Sequence, residues 1–152
     1  MYSRMYAGAA LLIGRLIVGG VFLWAAVDNL LELNAKSGYA ASKGVAAPTA
    51  LVTLASLILL AGAISILVGF RPTLGVAAIV LFLIPVTLMM HNFWALTGLE
   101  QIIELHNFQG NVIMLGSAVM FLGIPRPWPF SVDAWLRSSR GAVAESPARV
   151  NA

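Results

Sequence analysis

The sequence predicts an all-α integral membrane protein: an antiparallel four-helix bundle with both termini cytoplasmic and short interfacial helices in its outer loops. Three observations carry this prediction. Of the 152 residues, 60% are hydrophobic and only 10% are charged, too little polar surface to coat a water-soluble globule of this size. The hydrophobic residues gather in four blocks, at about 9–31, 49–69, 73–96 and 108–124. A helix needs about 20 residues to cross about 30 Å of hydrocarbon, and the last block is near the lower limit. Arg4, Arg71, Arg126, Arg137 and Arg140 fall on the side that four spans assign to the termini, against Lys36 and Lys43 on the other, which the positive-inside rule reads as cytoplasmic termini.

The elements follow in order. The first block is a span and not a cleaved signal peptide: it is too long for an h-region, Arg15 interrupts it, and no small-x-small site precedes a polar start. Arg15 lies about 8 Å from the cytoplasmic end of this block, within reach of the headgroups by snorkelling, and about 20 Å from Asp28, too far to pair. The segment "NAKSGYAASKGVAAP", 34–48, suits a short surface helix that ends at Gly44 and is stopped by Pro48. Ala61, Ser65 and Gly69 recur every four residues on the second span and predict a helix-packing stripe of small side chains. "GFRPT" is a tight turn. Pro85 predicts a bend midway along the third span. In "TGLEQIIELHN", Leu99, Ile102, Ile103 and His106 oppose Glu100, Gln101 and Glu104, the pattern of a separate helix on the outer membrane surface. After the fourth block, Trp128, Trp135 and the arginines suit the inner headgroup layer. The domain is expected to close at 137, and 138–152 reads as a flexible cytoplasmic tail.

The chemistry is narrow. With no cysteine, the chain carries no thiol exchange and no iron-sulfur ligands of its own, and phosphate loops and nucleophile elbows are missing. The net charge of +3 is explained by topology and anionic lipid, without nucleic acid. Polar residues instead gather at one depth: Asp28 and Asn29 close the first span, His91 and Asn92 the third, and His106, Asn107, Gln109 and Asn111 open the fourth. Trp24, Phe93, Trp94 and Phe108 share that level and would wall a small pocket. The candidate ligand-binding residues are His91, Trp94, Asn111, Asn92, Asn29, Asp28 and His106. For His91 the sequence leaves two readings open, an interfacial anchor and a ligand-binding group. Metal or haem is not expected, because two histidines on different elements lack ligand spacing.

The ordered motifs "GRLIVGGVFLWAAVDNLLEL", "GYAASKGVAAP", "LVGFRPTLG", "HNFWALTG" and "HNFQGNVIMLG" resemble the DoxX family, over residues 15 to about 123. The resemblance implies a four-helix protein of the bacterial inner membrane, with relatives that include the small subunit of a thiosulfate:quinone oxidoreductase and components of membrane redox-defence assemblies. It places the family's first-helix arginine on Arg15, its GxxxP on Gly44 and Pro48, its HxxW on His91 and Trp94, and its late asparagine on Asn111. Three charged positions of the family pattern are replaced here, by Asn29, Leu59 and Gly110.

Three functions are consistent with these readings. The first is an accessory or anchoring subunit of a membrane redox or envelope complex, not an enzyme on its own, with a membrane-protein partner or a second copy of itself beside the lipid bilayer. The second is a quinone or small-lipid binding protein tied to a quinone-dependent oxidoreductase, in which His91 and Asn111 hydrogen-bond a ring carbonyl and Trp94 stacks on the ring. The third, a small-solute transporter, is weaker, because only Arg15 is charged in the core and no paired broken helices occur.

Overall fold

A computed structural model describes residues 2–145, and side chains over 5–140. Its elements are α1 (Tyr2–Leu31), α2 (Leu33–Ser42), α3 (Pro48–Val68), α4 (Pro72–Met90), a short 3-10 turn (Phe93–Ala95), α5 (Gly98–Met120), a second 3-10 turn (Phe121–Gly123) and α6 (Val132–Glu145). Among the described residues there is no strand. Three segments there are long and apolar enough to cross a membrane: Met5–Leu31, Pro48–Val68 and Pro72–Ala95.

Local chemistry sets the boundaries. Pro48 and Pro72 open α3 and α4 at the first helical position, where proline's fixed φ suits the helix and its missing N–H has no partner to lose. Gly69, at φ 66°, ends α3 in the left-handed conformation that glycine adopts without a Cβ penalty. The short helix expected between the first two spans is present as α2, and Gly44 follows it at φ 80°. Pro85 lies inside α4, which continues through it.

Helix α1 packs on α3, α3 on α4 and α4 on α5; α2 lies on α3, and α5 also touches α1. The core draws Phe22 and Ala26 from α1, Leu59, Ala63 and Ile66 from α3, and Val76, Ile79 and Leu83 from α4. The opposite faces are as apolar as the core: Ile13, Leu16, Leu54, Leu81 and Ile113 are uncovered by protein. Such a surface needs hydrocarbon as its solvent.

Four expectations are corrected. The amphipathic stretch after Thr97 is not a separate surface helix; it forms the first turns of α5, which runs unbroken from Gly98 to Met120 because no proline interrupts it. The tail expected from 138 is helical as far as Glu145, nucleated by Ser131, whose hydroxyl accepts the Ala134 N–H at 3.1 Å as an N-cap; residues 146–152 lie outside the described residues. Trp128 is no headgroup anchor. It is 1% exposed and packs on Phe121 with ring centroids 5.4 Å apart. On α3, Ala61 faces outward and Gly62 makes the close approach: a Cβ there would lie 3.0 Å from the Gly75 carbonyl oxygen of α4, and one at Gly75 would collide with the Ser65 hydroxyl. The contact face with α4 therefore holds Gly62 and Ser65, one residue round the helix from the stripe that began at Ala61, while Gly69 packs against Arg15 and Ser131.

Candidate functional site

At the α2 end of the molecule, three elements deliver polar side chains to one place. His91 ends α4, with its backbone N–H donating to the Thr87 carbonyl. Its Nδ1 lies 2.7 Å from Glu104 Oε2 of α5, and the two side chains are 19% and 16% exposed. A carboxylate only accepts, so Nδ1 carries the proton. The Tyr39 hydroxyl of α2 lies between Glu104 Oε1 at 3.0 Å and the Met90 carbonyl at 3.1 Å, and Asn107 Nδ2 donates to Glu104 at 3.4 Å. Burial pushes Glu104 toward protonation, but hydrogen bonds from His91, Tyr39 and Asn107 outweigh it and hold the carboxyl below its usual range. The Tyr39 phenol is pushed up to about 12, first by burial and then by the adjacent carboxylate.

Two lysines complete the cluster. Lys36 pairs with Asp28 at 2.7 Å and Glu32 at 3.7 Å, and its hydrogen bond to Asp28 raises its pKa against the opposing effect of burial. Lys43 donates to Asn92 Oδ1 at 3.0 Å.

Below this cluster a cleft of about 470 Å³ opens between α2, α3 and α4. Its polar rim is Asn29, Lys36, Tyr39 and His91; its walls are apolar, with Leu51 and Val52 of α3 facing Phe82 and Met89 of α4. A second hollow of about 250 Å³ lies on the other side of Tyr39 and Glu104, lined also by Lys43 and Glu100.

The structure brings only some of the sequence candidates together. His91 and Asn29 line the cleft, and Asp28 supports it through Lys36; Asn92 instead accepts from Lys43, which lines the second hollow. Trp94 instead joins Phe93 and Phe108 in an edge-to-face cluster, with centroids 5.2 and 6.1 Å away. His106 is exposed and donates from Nδ1 to the Ile102 carbonyl of its own helix. Asn111 lines neither hollow. Trp24 is 74% exposed and stands apart. The expected pocket of His91, Trp94 and Asn111 is thus replaced by one of His91, Tyr39, Asn29 and Lys36, because α5 rises continuously and puts Asn111 about 10 Å along the helix from Glu104. Glu104 and Tyr39 were missed. The signal for Glu104 was the spacing Glu104, Asn107, Asn111, a polar stripe that enters the fourth block. No group of three metal-ligating side chains occurs among the described residues.

At the opposite end Arg15 is 1% exposed. Rather than snorkelling, its guanidinium donates to the carbonyls of Ile66 (3.0 Å), Leu67 (2.7 Å), Pro129 (3.1 Å) and Phe130 (3.2 Å), with the Trp128 ring 5.4 Å away. The last carbonyls of α3 lack intrahelical partners and sit at the negative end of its dipole. Arg15 satisfies them and ties the chain after α5 to them.

Comparison with curated proteins gives no match, and comparison with solved structures gives none. The DoxX family model matches residues 10–92, a segment that contains Arg15, Asn29, the Gly44 to Pro48 loop and His91 but stops before Trp94, Glu104 and Asn111. With more than half of its residues in that match, the chain belongs to the DoxX family.

Proposed function

We propose that this protein is a four-span module of the bacterial inner membrane that binds a quinone or a similar small ring-bearing lipid, in the service of a quinone-linked oxidoreductase. The observation that carries this reading is the cleft: its volume falls in the range of small-molecule sites, its walls are apolar, and one rim holds His91, Tyr39 and Asn29. A ring would enter from the lipid side and present its oxygen to His91. The fourth span in this reading is the part of α5 beyond residue 107, supported by its packing on α4 and α1. Cytoplasmic termini are supported by the arginines at the α6 end. The test is extraction of lipid from purified protein. Wild type should release about one ring-bearing lipid per chain, and His91→Ala should release far less while keeping its fold. Equal amounts from both would remove the cleft from consideration.

A second reading, an accessory or anchoring subunit without catalysis of its own, is favoured by the absence of cysteine and the small portion outside the helices. It predicts a partner, or a second copy, in the native mass of the protein extracted with its own lipids. The transporter reading loses its charge, since the guanidinium of Arg15 is engaged by four carbonyls.

A further inference from the structure

We propose that the cleft selects an uncharged amphiphile whose ring carries a hydroxyl, a phenol or hydroquinone, over one that offers only a carbonyl or ether oxygen, because Glu104 fixes the tautomer of His91. The proposal rests on the reading of the cleft as a ligand site and names which chemical form it takes.

Most donors on the rim are already engaged. The Tyr39 proton lies between Glu104 Oε1 and the Met90 carbonyl. Lys36 directs two of its three N–H donors at Asp28 and Glu32, and Lys43, which donates to Asn92, lines the second hollow and not this cleft. Asn29 offers both a donor and an acceptor and so does not discriminate. What the rim does offer is an acceptor. With its Nδ1 proton committed to Glu104 at 2.7 Å, a neutral His91 carries a lone pair on Nε2. Among the described residues Nε2 has no hydrogen-bond partner, and His91 is one of the residues lining the cleft. A hydroxyl on the ligand satisfies that lone pair. A carbonyl or ether would place oxygen lone pairs against it and gain no bond at His91, leaving it only the donors of Asn29 and Lys36. The apolar walls of Leu51, Val52, Phe82 and Met89 disfavour a charged ligand and suit a ring with an alkyl tail.

The experiment measures binding of a long-chain alkylphenol and of its methyl ether to the full-length protein in lipid nanodiscs, at about pH 8. The phenol should bind about tenfold tighter to wild type. In Glu104→Gln, whose amide can either donate to or accept from Nδ1, the preference should fall to about twofold or less. Equal affinities in wild type overturn the tautomer proposal and leave the cleft a binding site. An undiminished preference in Glu104→Gln also overturns it. Saturable binding of neither compound overturns both the proposal and the reading beneath it. The ring nitrogen-15 shifts of His91 in wild type test the same point without a substitution: a protonated Nδ1 and a bare Nε2 are expected, and the reverse assignment overturns the proposal.

Discussion

Arg15 and Glu104 are the two charged side chains that the helices enclose most purposefully, and each answers to a different set of partners. Arg15 meets backbone oxygens only, so its removal leaves carbonyls of two chain segments unsatisfied at once. Arg15→Met should lower stability in detergent by about 3 kcal/mol or more, whereas Arg15→Lys should recover a part, because one ammonium does not span the positions that a planar fork reaches. A thermal shift equivalent to under about 1 kcal/mol in Arg15→Met would mean that the clamp is dispensable. Glu104 meets side-chain donors, and its carboxyl is held below the usual value of 4.5. A depressed carboxylate contributes stability above its unfolded pKa and loses it as pH falls through the lower folded value. Wild type should therefore lose thermal stability on acidification from about pH 5 to pH 3, and Glu104→Gln, less stable at neutral pH by about 1 to 3 kcal/mol, should lose less over that window. Parallel acid profiles for the two proteins would show that Glu104 is not the group responsible.

Among the elements, α3 and α4 make the closest approach, and α6 is held at its start by a cap and by Asp133. Gly75→Leu should force α4 away from Ser65 and Gly62 and cost about 1 to 3 kcal/mol, while Ala61→Leu, on the outward face, should leave the melting temperature nearly unchanged. If Ala61→Leu is the more damaging of the two, the contact face is assigned to the wrong side of α3. Helix α6 is fastened to the α3–α4 turn by the Asp133 carboxylate accepting the Arg71 N–H at 3.0 Å and by the Asp133 N–H donating to Gly69 O at 3.3 Å. Ser131→Ala removes its N-cap, a loss of about 1 kcal/mol, and should show as faster proteolysis beyond residue 131 before the rest of the protein yields. Much of this element structure was legible: prolines at the starts of α3 and α4 and glycines after α2 and α3 are local signals that act within one turn. The junction inside α5 was not, because an amphipathic stretch joined to an apolar one reads the same whether the helix lies on the surface or continues inward.

For the whole molecule, the prediction is one of sidedness. A cysteine introduced at Arg140 should react with an impermeant reagent only from the cytoplasmic face of inner-membrane vesicles, and one at Lys36 only from the opposite face. Labelling of both from one side would overturn the four-span arrangement. The amino-acid sequence by itself determined the solvent of this protein, the number and approximate limits of its apolar blocks, and the end of the first and third blocks at which Asn29, His91 and Asn92 stand. All of these follow from composition and from spacing along the chain. Only the tertiary structure decided that Arg15 reaches the Pro129 carbonyl 114 residues away, that His91 is held by Glu104, and that Gly62 rather than Ala61 meets α4. The physical reason lies in α3 and α4, which are apolar all round. A helix with no polar face carries no periodic mark of which side turns inward, so its rotation and depth are settled by the fit of one helix against another.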